Sequence, residues 1–320
     1  MNILSLFDGM SGLQIALNNL GVNYDNYFAS EIDKYAIQVT LKNYPKTMQL
    51  GDIKTLNVSN LPLIDLISFG SPCQDLSVAK QNRQGLEGER SGLFYEALRI
   101  LNELKPKYFI VENVASMPKE AKNEITRCLF GIEPVLINSS LLTAQNRKRL
   151  YWVGKLNNEG FYEKIIIEQP EDKKILLKDI LESGLSYQDK SYTLTASYNG
   201  AIFWNTLAKK QRTMILEPIR IGHYNKGGQG DRIYSVDGKS VCLQSNSGGK
   251  GAKTGLYKID LPNGEYLVRK LTPSECEKLQ GVNIGYTDCV SNTQRYKMIG
   301  NGFTVPIIEH ILKKILTKNC

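Results

Sequence analysis

The 320-residue chain lacks several patterns that would each assign it to a class of protein. Its six cysteines form no CxxC pair, which argues against a zinc site and against a thioredoxin-like redox motif. No apolar run approaches the roughly 18–20 residues that span a bilayer. The opening residues MNILSLFDGM lack the basic and apolar regions of a signal peptide. We therefore expect a soluble cytoplasmic protein with free thiols and no membrane partner.

The composition is that of a globular protein with a sizeable core. Hydrophobic residues make up 42% of the chain and charged residues 22%, which excludes the disordered and low-complexity classes. A chain of this length forms one large domain or two modest ones. The net charge of +8 indicates a polyanionic partner such as nucleic acid, although many basic enzymes bind none.

The first half of the chain alternates short apolar strands with amphipathic helices. This alternation predicts an α/β fold with a doubly wound, mostly parallel sheet and helices on both of its faces. In such sheets ligands bind at the carboxyl ends of the strands. The predicted strands are Asn2–Phe7, Tyr27–Ser30, Asp65–Phe69 and Tyr108–Val111, and the predicted helices are Leu13–Leu20, Lys34–Asn43 and Leu93–Leu104.

The second half differs in character after about Lys155. Between Gly222 and Gly255 glycine, serine, lysine and glutamine are frequent and helical periodicity is poor, which favours a small irregular β domain. Helical spacing returns at Leu271, where Thr272 is suited to cap a helix. The β-like pieces are Arg232–Ser235 and Ser240–Leu243, and the last predicted helix is Val305–Leu316.

A glycine turn with the sequence FDGMSG follows the first predicted strand. Its glycines, Gly9 and Gly12, allow a cofactor to approach the backbone, and Glu31 follows 19 residues later, where an acid can accept hydrogen bonds from ribose hydroxyls. Asp52 comes after the expected third strand and can bind an adenine amino group. The full GxGxxG pattern and a P-loop lysine are both absent, so a methyl-donor nucleoside fits as well as a dinucleotide. An ordinary tight turn also explains these residues.

Chemically active side chains follow two further strands. Cys73 comes after Pro72 at the edge where a ligand is expected, and the hydrophilic segment 75–91 is suited to a glycine-hinged lid. Glu112 ends the strand YFIV and can donate a proton to a ring nitrogen. The run from Arg147 to Arg149 can pair with carboxylate or phosphate. An inert buried thiol, a turn acid and solvated loops remain the alternatives.

The order of these motifs makes the chain resemble the DNA methyltransferases that modify carbon 5 of cytosine. The resemblance covers nearly the whole chain, and it implies a Rossmann-like methyltransferase domain with a small irregular β target-recognition domain. The motifs are FDGMSG, SEIDKYA, GDI, GSPCQDLS, ENV, QNRKRLYWVG, RKLTPSECEKLQG and QRYKMIGNG.

The resemblance implies a metal-free mechanism that uses S-adenosyl-L-methionine. The thiolate of Cys73 adds to carbon 6 of a flipped-out cytosine, which makes carbon 5 nucleophilic toward the sulfonium methyl group. Glu112 stabilises the charge at ring nitrogen 3, and Arg147 and Arg149 lie beside the cytosine and the active-site carboxylates. The implied cofactor-binding residues are Phe7, Asp8, Gly9, Gly12, Glu31, Ile32, Asp52, Ile53, Pro72, Leu93 and Asn301.

The same resemblance implies double-stranded DNA as substrate. The run from Lys226 to Tyr234, with Gly248-Gly249 and residues 252–255, is similar to the recognition domain of a bacterial GCGC-specific member. The chain departs from that member at three positions. Ile32 stands where the GCGC-specific member has tryptophan, and Gln244 and Asn246 stand where that member has serine and tyrosine. The implied DNA-binding residues are Gln74, Arg83, Arg90, Gln229, Arg232, Gln244 and Asn246.

These observations divide the chain into three parts. We expect a catalytic domain of residues 1–180 with 301–320, a recognition domain of residues 181–272, and a hinge of residues 273–300. We expect a monomer. We expect it to protect host or phage DNA, with or without a partner restriction endonuclease. The alternatives are a transfer-RNA cytosine methyltransferase, an inert DNA-binding relative and, more remotely, a nicotinamide dehydrogenase.

Overall fold

The computed structural model describes residues 1–71, 92–186, 188–202, 209–220, 222–223, 232–235, 256–258 and 265–316. Between 217 and 268 the description is of the strand backbone alone. Within these ranges, no helix is long and apolar enough to cross a membrane.

A single eight-stranded sheet organises the larger part of the chain. The strand order is β3-β2-β1-β4-β5-β7-β6, with β8 also paired to β7. Strands β1 to β5 are parallel, whereas β7 is antiparallel to its three partners β5, β6 and β8. The strands are β1 (Asn2–Leu6), β2 (Asn26–Ser30), β3 (Met48–Gln49), β4 (Leu66–Phe69), β5 (Tyr108–Val114), β6 (Val135–Asn138), β7 (Lys148–Leu156) and β8 (Tyr162–Lys164).

Seven described helices accompany the sheet. They are α1 (Gly12–Asn19), α2 (Lys34–Asn43), α3 (Leu93–Leu104), α4 (Lys119–Cys128), α5 (Pro273–Gln280), α6 (Asn292–Asn301) and α7 (Val305–Leu316). The predicted limits of α2, α3 and α7 are confirmed. Thr272 caps α5 through a reciprocal pair of bonds with Glu275, as its position predicted.

Helices cover both faces of the sheet, because successive residues of a strand point to opposite sides. Ile3 belongs to one apolar cluster with the buried residues of α1 and α7, while Leu4 belongs to a second cluster with those of α3 and α4. The strands are buried on both sides for this reason. The predicted α/β class with a doubly wound, mostly parallel sheet is therefore confirmed.

One sequence-based boundary was wrong at a residue of functional interest. Glu112 was expected to end the strand YFIV, but β5 continues to Val114, and Glu112 lies inside it opposite Tyr151 of β7. The extension exists because the antiparallel strand β7 pairs with β5 as far as Val114, whose partner is Arg149.

The remaining described strands form two small sheets. In one, β11 (Arg232–Ser235) lies between β10 (Gly222–His223) and β12 (Leu256–Lys258). In the other, β9 (Met214–Arg220) pairs with β13 (Glu265–Lys270). The start of β9 is tied to the larger part of the chain, since Met214 and Ile215 are buried in the first apolar cluster. The division of the chain into domains at 181 and 273 stays a prediction.

Candidate active site

A cleft of about 320 Å³ opens where the parallel strands end. It is lined by the turn after β1, the ends of β2 and β4, the segment after β3, and the end of α6 with the residues that join it to α7. The residues of interest that line it are Phe7, Asp8, Gly9, Glu31, Ile32, Asp52, Ile53, Leu93, Glu112, Arg147, Arg149, Lys297 and Asn301.

The predicted cofactor residues meet at this cleft. All those with a described position line it except Gly12, which begins α1; a Cβ there would lie 3.2 Å from the Cβ of Phe303, a residue that does line the cleft. Pro72 lies outside the described residues, as do Cys73, Gln74, Arg83, Arg90, Gln229, Gln244 and Asn246. Arg232 is the first residue of β11. The roles assigned to these residues stay predictions.

Two acids stand at the ends of neighbouring strands. One Glu31 oxygen accepts a hydrogen bond from the Gly9 amide at 2.8 Å, and the other accepts from the amides of Ile32 and Asp33, each at 2.8 Å. Asp52 accepts from the amide two residues further on, at 2.9 Å, and so caps a short 3-10 turn. Both carboxylates are thus held in fixed positions by the backbone.

The glycine turn contains a third acid, Asp8. The sequence predicted that Asp8 binds the cofactor but did not predict which residues contact it. Asp8 is buried and accepts hydrogen bonds from the hydroxyls of Ser11 and, at 2.8 Å, Tyr27. Burial raises the pKa of Asp8 to about 6. Two non-glycine residues of the turn, Phe7 and Ser11, have left-handed backbones with φ of 54° and 61°.

The outer wall of the cleft includes an ion pair that the sequence did not reveal. Lys297 of α6 contacts Asp33 at 2.6 Å, and both residues line the cleft. Ile32, beside this pair, is 71% exposed and presents an apolar surface to the cleft. The pair joins residues 264 positions apart, so no local pattern could have predicted it.

At the inner end, Glu112 and Arg149 form a shielded ion pair. Arg149 Nε lies 2.8 Å from Glu112 Oε1, and each side chain is 13% exposed. Burial, with a smaller contribution from the Glu112 charge, raises the pKa of the adjacent Tyr151 far above its usual range. The turn after β4 passes close by, since a Cβ on Gly70 would lie 3.0 Å from Glu112 Oε2.

Arg147 and Arg149 are both in the cleft but have different contacts. Arg147 is buried and donates to the backbone oxygens of Leu194 at 2.9 Å, Gly300 at 3.2 Å and Gly302 at 3.0 Å. It therefore ties the residue before β7 to Gly300 near the end of α6 and to Gly302 just after that helix. Of the two, Arg149 is the one paired with the Glu112 carboxylate.

Comparison with known proteins matches the chain to one family over nearly its full length. The family of C-5 cytosine-specific DNA methylases matches residues 1–317. A type II methyltransferase of Haemophilus parahaemolyticus, M.HhaI, is 30% identical over 98% of this chain and 94% of its own. An orphan methyltransferase of Bacillus phage SPR, M.SPRI, is 25% identical over 99% and 97%.

Solved structures show a similar fold. The Entamoeba histolytica methyltransferase EhMeth has a TM-score of 0.66 at 15% identity, covering 99% of this chain and 98% of its own. The Dnmt2 methyltransferase of S. pombe has a TM-score of 0.62 at 17% identity, covering 100% of both chains. At these identities the likeness shows the fold alone.

Proposed function

Because this chain belongs to the family of C-5 cytosine-specific DNA methylases and is a DNA cytosine-5-methyltransferase, we propose that it methylates a flipped-out cytosine within a specific DNA sequence. The observation that carries the proposal is the shared cleft. Its outer part holds the acids Glu31 and Asp52, and its inner part holds the Glu112–Arg149 pair. A methyl donor and a base bound there would be neighbours.

The described residues fit S-adenosylmethionine. Two carboxylates at adjacent strand ends, Glu31 and Asp52, suit the hydroxyl and amino donors of a nucleoside. Between and beside them Phe7, Ile32 and Ile53 provide an apolar wall for a planar base. When bound, S-adenosylmethionine supplies an electrophilic methyl group on a positively charged sulfur.

The protein's own residues activate the cytosine. The Cys73 thiolate forms a bond to carbon 6, and electron density moves to carbon 5 and ring nitrogen 3. The Glu112 carboxyl group, positioned beside Arg149, donates a proton in a hydrogen bond to that nitrogen. Once carbon 5 carries the methyl group, a base removes the carbon 5 proton. The bond between carbon 6 and the Cys73 sulfur then breaks and releases Cys73 as thiolate.

Trapping the covalent adduct tests this mechanism. A DNA duplex with 5-fluorocytosine at the target position has no removable proton on carbon 5, so the Cys73 bond to carbon 6 persists. We expect a protein–DNA complex that survives denaturation. Cys73→Ser abolishes it, whereas Cys128→Ser, at the end of α4 and outside the cleft lining, keeps it. A complex that forms equally with Cys73→Ser contradicts the assignment.

The substrate and biological role follow from the same proposal. The relatives include a type II methyltransferase and an orphan phage methyltransferase, which supports a protective role in restriction–modification or in a phage. Bisulfite sequencing of DNA from cells that express the protein, compared with Cys73→Ser, reads the methylated base and its sequence context. Methylation of transfer RNA in place of DNA would contradict the proposed substrate.

A further inference from the structure

The turn that begins the cleft is held in an unfavourable conformation at Ser11. Ser11 caps α1 with φ 61° and ψ 45°, in the left-handed region, and its side chain makes no capping bond to the helix. For a residue with a Cβ this conformation is disfavoured, whereas glycine adopts it readily. Some interaction must therefore hold Ser11 in place.

Asp8 contacts Ser11 twice: its carbonyl oxygen accepts the Ser11 amide at 3.1 Å, and its carboxylate accepts the Ser11 hydroxyl. Its Oδ2 accepts the Ser11 hydroxyl, while its Oδ1 accepts the Tyr27 hydroxyl at 2.8 Å. The Thr40 hydroxyl lies 3.4 Å from the Ser11 oxygen. A buried carboxylate costs free energy unless it is well hydrogen-bonded. These bonds connect the turn to Tyr27 of β2.

The conformation of the turn decides where the Gly9 amide points. Gly9 lies between Asp8 and Ser11, and its N–H donates to Glu31 at 2.8 Å. The Tyr286 hydroxyl donates to the Met10 backbone oxygen at 2.8 Å. If Ser11 left the left-handed region, these bonds would be lost and Glu31 would lose one of its fixing contacts.

We propose that Asp8 is a positioning residue for the outer end of the cleft: its carboxylate holds Ser11 in the left-handed conformation and so keeps the Gly9 amide on Glu31. The inference rests on the proposed function, which places S-adenosylmethionine in this cleft. Asp8 acts through Ser11 and Gly9. A glycine at position 11 would adopt the left-handed conformation without the Asp8 contact.

Substitutions at position 11 separate the conformational role from the hydroxyl group. Ser11→Ala and Ser11→Gly both remove the hydroxyl, but only alanine keeps a Cβ. By calorimetry with S-adenosylmethionine, we expect Ser11→Ala to bind about tenfold more weakly than Ser11→Gly. Asp8→Ala should weaken binding about tenfold as well, and the double variant Asp8→Ala/Ser11→Gly should recover most of that loss.

Each outcome decides between readings. Absence of binding by the unmodified protein would defeat the proposed function itself. Binding by the unmodified protein, with Ser11→Ala and Ser11→Gly equally weak, would overturn the role of the Ser11 backbone. Failure of Ser11→Gly to rescue Asp8→Ala would make Asp8 a merely structural residue. Where Asp8→Ala does not fold, Ser11→Ala is compared with the unmodified protein, because it breaks the bond to Asp8 and leaves the carboxylate in place. Binding as tight as that of the unmodified protein would overturn the role of Asp8.

Discussion

Glu112 lies within the sheet, where the fold shields it from solvent, and this placement predicts the effect of replacing it on the rate of methyl transfer. Glu112→Gln keeps the shape but removes the charge that pairs with Arg149 and the capacity to donate a proton to the base. We expect the chemical step to slow by roughly 10²-fold or more, the usual scale for a positioned acid or base. Single-turnover methyl transfer at saturating DNA measures it.

The matched control for Glu112 is Glu103 on α3. Glu103 also pairs with an arginine, Arg99 at 3.2 Å, but both are exposed and neither lines the cleft. Glu103→Gln should leave the single-turnover rate at its original value. A Glu112→Gln variant that loses DNA affinity alone would make Glu112 a binding residue.

Asp8 gives the protein a pH dependence of known sign. Burial is the largest cause of its raised pKa of about 6, the Glu31 charge adds to it, and hydrogen bonds from Ser11, Ser5 and Tyr27 oppose it. The folded state holds this proton more tightly than the unfolded state, whose pKa is 3.8. Stability from this group is therefore fully present below pH 3.8 and is lost as pH rises through about 6.

Asp8→Asn isolates this effect. As the pH rises from 5 to 7, the unfolding free energy of the variant should increase by about 1 kcal/mol relative to that of the unmodified protein. Urea unfolding at several pH values measures the difference. A gap between the two proteins that stays constant over this range would show that Asp8 titrates at an ordinary pKa.

At the scale of elements, α5 joins separate parts of the chain through buried carboxylates. Glu277 accepts bonds from the amides of Gly285 at 2.8 Å and Thr287 at 2.9 Å, and from Arg295 at 3.1 Å. Glu277→Gln leaves Arg295 without its counter-charge, and we expect a loss of about 3 kcal/mol of unfolding free energy. Chemical denaturation checks this value. Asp288→Asn, which breaks an exposed pair with Lys42 in the same region, should have little effect.

The elements that were predicted correctly are those whose signals are local. The limits of α2, α3 and α7 follow from apolar spacing and end signals within each segment. The antiparallel strands β6 to β8 were not predicted, because their pairing depends on the partner strand and not on their own residues. The continuation of β5 past Glu112 was missed for the same reason.

The candidate site shows the same limit. The placement of Glu31 and Asp52 at the cleft was predictable because each follows a recognisable strand or turn at the carboxyl edge of the sheet. The partners of Asp8 were not, because Tyr27 comes from another strand and Ser11 occupies a conformation that usually signals glycine. The bonds from Arg147 to backbone oxygens at the end of α6 likewise depend on the folded chain.

At the scale of the whole molecule, charge and specificity are separate properties. The net charge of +8 supports attraction to any DNA through its phosphates, and that attraction weakens with salt. Sequence must be read by side chains at base edges in the major groove. We expect such side chains in the region between β9 and β13, with Gln229 and Arg232 among them.

Arg232 distinguishes these two contributions. It begins β11, in the segment that we expect to read the DNA sequence, and arginine pairs bidentately with guanine. We expect Arg232→Ala to lose about 1–3 kcal/mol on a palindromic site with a GC step and to relax preference at one guanine. A phosphate contact would instead weaken all sequences alike and reduce the salt slope by about one. Methylation of a randomised library, read by bisulfite sequencing at two salt concentrations, separates the outcomes. Uniform weakening with unchanged sequence context would assign Arg232 to the backbone of the DNA.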